Sequence, residues 1–312
     1  MDSSPRLLSL QGLLGLSQAQ GISIGSAIDA IAAERFIARV ASVGNAATTM
    51  SLTGYHLLPV ASQRPEFLPA VLLRFLTSAA DVAAVTLILE SVCRAELKDQ
   101  CNYQTVRLNA WSGPPDFALR VFVAEVSASV AGTSVHLPLE LHVRTGPPQL
   151  AESQNYPSVL SDKHRFRVPC QSIAGYTADL MSKVVSTAGL DTDAGLHFQL
   201  AYLVRHYWSK IDVVADKEFD ALRGELGRRA NAPLVETLKG QQQFWSATAA
   251  DPVLAQRWAE FIRLRGFDHA IQPILPKQAA VSAEKRVEKS APPLVALPVV
   301  AEEILQFLYR VG

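Results

Sequence analysis

His136, Glu140 and His142 fall at even spacing in the run Val135-His136-Leu137-Pro138-Leu139-Glu140-Leu141-His142-Val143. In a strand they project to one side, opposite Val135, Leu137, Leu139, Leu141 and Val143. Imidazole and carboxylate together could hold zinc or iron. Six residues of strand span about 20 Å, so His136 is too distant to share an ion, and only Glu140 and His142 could be co-ligands. The simpler reading, and the one adopted, is the solvated face of a half-buried strand, with no metal and no cofactor. Thr53-Gly54 is a second candidate, a glycine turn whose backbone amides could cradle a phosphate. A purely structural turn is the preferred alternative. Nucleophilic catalysis finds no footing. The chain has no Gly-x-Ser-x-Gly, and Cys170 sits in no motif.

Arg35 and Arg39, the pair Arg205-His206, and Arg263-x-Arg265 are scattered basic positions. They could form a tRNA-binding surface, but charged helix faces are the default. Tyr202, Tyr207 and Trp208 read as packing rather than a base-stacking platform. Lys plus Arg equals Asp plus Glu at 29 each, so no net field draws the chain to nucleic acid or anionic lipid. Three cysteines, with no Cys-x-x-Cys spacing, read as reduced thiols. No apolar run approaches the roughly 18 residues needed to cross a bilayer, and the N-terminus lacks the features of a signal peptide. A cytoplasmic location without membrane contact is expected.

The elements that would position these residues change period along the chain. Helices are expected near 7–21 and 26–43, then a strand at 50–53, a brief helix ended by Pro59, and a buried strand at 70–76. Thr77 or Ser78 should cap a helix running to Val92. Alternation over 103–111, 117–126 and 135–143, with a turn at Ala131-Gly132-Thr133, predicts a sheet of about five strands that Gly146-Pro147-Pro148 closes. Helices follow near 172–186, 196–207, 217–229 and 253–265. The expected fold is α+β, a mixed sheet with flanking helices followed by a C-terminal helical domain. The expected divisions are 1–164, 165–276, a linker at 277–293, and a last helix within 294–312. That helix presents Val300, Ile304, Phe307 and Leu308 as an apolar face, either docked within the chain or offered to a protein partner.

Several separated segments then point to a family. They are Glu34-Arg35-Phe36-x-x-Arg39, Leu52-Thr53-Gly54-x-x-Leu57-Leu58, Tyr156-Pro157-Ser158-Val159-Leu160, and Ala249-Ala250-Asp251-Pro252 with Gln256-x-Trp258-x-x-Phe261. In order and spacing they resemble the AbiEii-type abortive-infection nucleotidyltransferases of the polymerase-β-like superfamily. The resemblance implies a nucleotidyltransferase fold and a phage-defence or toxin–antitoxin-like setting. It also implies two acids of a Thr-Arg-Asp-x-Asp segment and a third acid on a later strand, which hold the divalent ion that steadies a triphosphate.

In this chain Arg64-Pro65 is followed by Glu66-Phe67-Leu68, without the aspartates. The third acid falls near His142, and the family's helix lysine near Thr177. The family's Lys-Asp-x-x-Asp helix becomes Leu196-His197-Phe198-Gln199. Glu66 and Asp81 are the nearest acids, and they form no i, i+2 pair. The expectation is a degenerate, non-catalytic member that binds a protein partner, with nucleotide or tRNA binding less favoured. The alternative is an active, metal-dependent enzyme modifying tRNA through Glu66, Glu140 and His142.

Overall fold

The computed structural model describes residues 10–20, 22–64, 72–112, 120–143, 151–159, 165–186, 194–211, 217–229, 233–265 and 296–312. The chain divides into two compact units, Met1–Tyr176 and Thr177–Gly312. No helix among the described residues is long and apolar enough to cross a membrane.

The first unit is built on one mixed seven-stranded sheet. Its strands are β1 (Met50–Thr53), β2 (Leu73–Thr77), β3 (Cys101–Ser112), β4 (Arg120–Val130), β5 (Thr133–Val143), β6 (Glu152–Pro157) and β7 (Arg165–Cys170). Across the sheet the order is β3-β4-β5-β2-β1-β7-β6. β2 runs parallel to β5, and β1 parallel to β7; the other neighbours are antiparallel. β4 and β5 form a hairpin through Ala131 (φ 49°) and Gly132 (φ 82°). Two consecutive left-handed residues match the right-handed twist of the strands they join. A bulge between Thr105 and Arg107 interrupts the outer strand β3.

Helix α1 (Leu10–Gln20) precedes α2 (Ile24–Ser42), which packs across β3, β4, β5 and β7. Ala27, Ile28, Ile31, Phe36, Ile37 and Val40 line its buried side. The ring of Phe36 lies 6.4 Å from that of Phe75 and 5.6 Å from that of Tyr103. Ser23 caps α2 by accepting from the Ser26 amide at 3.0 Å. Helices α3 (Gly44–Thr49), α4 (Leu58–Ser62) and α5 (Val82–Arg94) fill the connections.

Several expectations change in this unit. Pro59 sits in the first turn of α4 and opens it, because proline's missing N–H is no loss there. The cap of α5 is Asp81, whose carboxylate accepts from the Ala84 amide at 2.8 Å. Thr77 instead closes a local turn by accepting from the Ala79 amide at 3.1 Å. Gly146-Pro147-Pro148 lies outside the described residues, and the sheet does not stop before it, since β6 and β7 rejoin the same sheet. β7 carries the sheet past residue 165, and the compact unit runs through Tyr176.

The second unit is helical. The end of α6 (Ile173–Ser186) leads to α7 (Ala194–His206), a 3-10 turn at Trp208–Lys210, α8 (Lys217–Arg229), α9 (Leu234–Ala250), α10 (Pro252–Arg265) and α11 (Leu297–Val311). Trp208 is fully buried, with its ring 5.1 Å from Phe219 and 5.6 Å from Phe307. Its indole N–H donates to the Thr177 hydroxyl at 3.0 Å. α9 was not foreseen. Its buried stripe is Leu238, Gln241, Trp245 and Thr248, a helical spacing in which alternate members are polar, so hydrophobic periodicity fades. Gln241 belongs inside because its amide donates to the Met181 carbonyl at 2.7 Å. Val300, Ile304, Phe307 and Leu308 are all buried, and α11 packs on α9 and α7. That face is covered within the helical unit and is not a free partner surface. The expected linker at 277–293 lies outside the described residues.

Candidate functional site

β2 alternates in burial, with Leu73, Phe75 and Thr77 inward and Arg74 and Leu76 half-open. Pairing in register with β5 places Arg74 beside Glu140 and Leu76 beside His142. Arg74 Nε donates to Glu140 Oε2 at 2.8 Å, and His142 Nε2 lies 3.0 Å from the same oxygen. On the other side of β2, Thr53 pairs with Arg74. Gly54 follows at φ +74°, and a Cβ there would lie 3.2 Å from Arg74 Cβ and 3.3 Å from Arg74 Cδ.

The two candidates named from sequence, Thr53-Gly54 and Glu140 with His142, therefore meet at one residue that sequence reading passed over. Arg74 rests its methylenes on the glycine and gives its guanidinium to the glutamate. The signal for it was a lone arginine inside an apolar strand pattern, Leu73-Arg74-Phe75-Leu76. A charge in that setting needs a partner.

The arrangement fixes the electrostatics. The hydrogen bond from His142 and the neighbouring Arg74 guanidinium hold the Glu140 carboxyl below the usual carboxylate range, against partial burial that works the other way. Side-chain exposures of 35% for Arg74, 23% for Glu140 and 21% for His142 leave the cluster open on one side. His136 is not part of it. Its Nδ1 lies 2.9 Å from Glu125 on β4, as the length of β5 required. Thr53 donates its hydroxyl to Gln171 Oε1 at 2.7 Å, and the Gln171 amide donates to the Leu52 carbonyl at 3.0 Å. The packing of Arg74 and the left-handed backbone account for Gly54 in structural terms. Among the described residues, no three His, Cys, Asp or Glu side chains cluster as a metal site would require. Glu66 lies outside the described residues.

The other candidates take structural places. Arg39 is 2% exposed and reaches Asp99 through two bonds of 2.7 Å, so it presents no charge to RNA. Arg35 bonds Glu34 at 2.9 Å. Arg205 pairs with Glu303, and His206 is buried 4.4 Å from the Tyr202 ring. The side chains of Arg263 and Arg265 lie outside the described residues. Burial pushes the Cys101 thiol up to about 11 and Cys170 to about 12, so neither is a thiolate nucleophile near neutral pH.

Two of the segments that carried the family resemblance touch one another. The buried Glu34 carboxylate accepts from the Ser158 hydroxyl and the Val159 amide, both at 2.7 Å. In the helical unit Asp251 accepts from the Val253 amide at 2.8 Å to start α10, and Trp258 is buried. Thr177 holds the indole of Trp208, and His197 is buried with its ring 5.1 Å from Trp245.

No protein-family model matches the chain, and no curated protein matches it. Among solved structures it is similar to JHP933 from Helicobacter pylori, at 13% identity over 90% of this chain and 91% of that one, with a TM-score of 0.49. It is also similar to a candidate nucleotidyltransferase from H. pylori, at 13% identity over 91% of this chain and 97% of that one, with a TM-score of 0.40. No residue role follows from either likeness.

Proposed function

We propose that this chain is a nucleotidyltransferase-fold protein that acts by binding a partner rather than by metal-dependent nucleotidyl transfer. The phage-defence or toxin–antitoxin-like setting comes from the AbiEii-type sequence resemblance. One observation carries the reading. Glu140 Oε2, beside the position where the resemblance expects the third metal-binding acid, is already engaged by Arg74 and His142. Magnesium takes hard, unencumbered oxygen ligands and keeps near-octahedral geometry. A carboxylate bonded to a guanidinium is a poor start for such a shell.

The course of β2 adds support. Its end, Thr77-Ser78-Ala79-Ala80-Asp81, leaves the sheet beside β5, where Thr77 pairs with Val143. Against the family's Thr-Arg-Asp-x-Asp this stretch fits better than the one after Arg64-Pro65. It keeps the threonine and the second acid but has alanine in place of the first. The remaining acid, Asp81, caps α5.

The full chain, incubated with labelled nucleoside triphosphates, Mg²⁺ or Mn²⁺ and total tRNA, should label nothing. Metal-dependent labelling that disappears in Glu140→Ala would overturn the proposal. It would favour the second reading, an RNA-modifying enzyme with unorthodox ligands. What favours that reading is the shared position of Glu140 and His142, with the carboxylate held ionised.

A further inference from the structure

Gln241 and Trp245 stand one turn apart on the buried stripe of α9, at 3% and 0% exposure. The Gln241 amide is oriented through its nitrogen, which donates to the Met181 carbonyl of α6 at 2.7 Å. The flipped amide would set oxygen against oxygen, so that bond fixes which end is Oε1. Among the described residues neither Gln241 Oε1 nor Trp245 Nε1 has a hydrogen-bond partner, and both atoms are shut off from bulk solvent. An indole nitrogen is a donor only, and an amide oxygen an acceptor only. A bare donor and a bare acceptor cost more inside a protein than fixing one water between them. Residues one turn apart on a helix face stand about 5–6 Å apart at Cβ, and two hydrogen bonds meeting at one oxygen span roughly 4.5–5 Å. A bridging molecule must accept from the indole and donate to the amide. His197 of α7 closes the neighbourhood, with its ring 5.1 Å from that of Trp245 and only 4% exposure. Such enclosure selects the smallest molecule of that polarity.

We propose that a single held water bridges Trp245 Nε1–H and Gln241 Oε1, where α6, α7 and α9 meet. It accepts from the indole and donates to the amide oxygen, completing a chain from Trp245 through Gln241 to the Met181 carbonyl. Internal waters settle about two to four buried polar groups each, and this pair supplies the first two. The site does not depend on the binding role proposed above.

The test follows the full chain, uniformly isotope-labelled, by water-selective NOE and ROE spectroscopy. The Trp245 indole proton, assigned from its contacts to the His197 ring, should show a water signal of opposite sign in the two experiments. That sign change marks a held water rather than proton exchange. Gln241 side-chain protons should show the same water. Gln241→Met should remove the signal from Trp245, whereas a peak relayed through a neighbouring hydroxyl would survive. In urea unfolding, Trp245→Phe should raise the unfolding constant several-fold in the native background. In Gln241→Met it should do so by clearly less, because the water has already gone, and packing losses common to both backgrounds cancel in the comparison. No held water at Trp245 in the native chain overturns the proposal, as does a water there that makes no contact with Gln241. A signal that survives in folded Gln241→Met, or an equal effect of Trp245→Phe in both backgrounds, overturns it too. Should a variant fail to fold, the two native-chain signals decide alone.

Discussion

Two arginine–carboxylate pairs in the first unit show how the same chemistry serves opposite ends. Arg39 and Asp99 are almost wholly buried, at 2% and 7% exposure. Arg39 makes five hydrogen bonds, two to Asp99 and one each to the carbonyls of Arg35, Ala95 and Cys101, and its guanidinium lies 4.5 Å from the Tyr103 ring centre. Every donor is used, and the residue ties α2 to the start of β3. Arg74 and Glu140 lie half-open on the sheet face, joined by a single bond from the arginine. The first pair is a closed structural tie, whereas the second leaves Arg74 about a third exposed.

The contrast can be broken at several points. The largest effect should come from Arg39→Met, which leaves Asp99 buried without its partner. A loss of about 3–5 kcal/mol is expected in urea unfolding, and a loss below 1 kcal/mol would place the pair among surface bridges. Glu34→Gln should cost about 1–3 kcal/mol by weakening the charged bonds to Ser158 and Val159, read in the same titration. Gly54→Ala meets both a left-handed backbone and the stem of Arg74. It should cost about 1–2 kcal/mol and shift the Arg74 side-chain resonances, whereas the same change at Gly224, which has open space around it, should leave them in place. Arg74→Gln, removing a partly exposed bridge, should change stability by less than about 1 kcal/mol in the same titration.

The smallest effect sharpens the comparison through pH. Glu140 has a folded-state pKa below its ordinary 4.5. Its stabilising contribution is therefore present above that value and is lost as pH falls through the lower, folded one. The stability difference between native protein and Glu140→Gln should be constant near neutrality and shrink only in acid. A difference that vanished between pH 6 and 8 would implicate another group.

Legibility in the sequence followed periodicity. β1, β5 and α8 could be read closely because their patterns are regular, and the Ala131-Gly132 turn declared itself through the only residue type that adopts positive φ freely. β6 and β7 could not, since Glu152-Ser153-Gln154-Asn155 carries no apolar face of its own and the strand exists through pairing with β7. α9 was hidden by the polar members of its buried stripe. At the site, even spacing along β5 separated His136 from the Glu140–His142 pair correctly, because strand geometry is local. Arg74 was not foreseen as their partner, because nothing local to residues 73–77 says that β2 will lie parallel to β5. The face of α11 was legible as apolar, and its covering by α9 was not.

That parallel seam bears on the order in which the molecule assembles. β3, β4 and β5 are sequential antiparallel neighbours and can zip through short connections, whereas the seam joins segments more than sixty residues apart and requires a long loop to close first. We expect the meander to form early and the two halves of the Arg74 cluster to meet late. Pulsed hydrogen exchange during refolding should protect β4 amides ahead of those in β2. Simultaneous protection would mean that the sheet condenses as one piece.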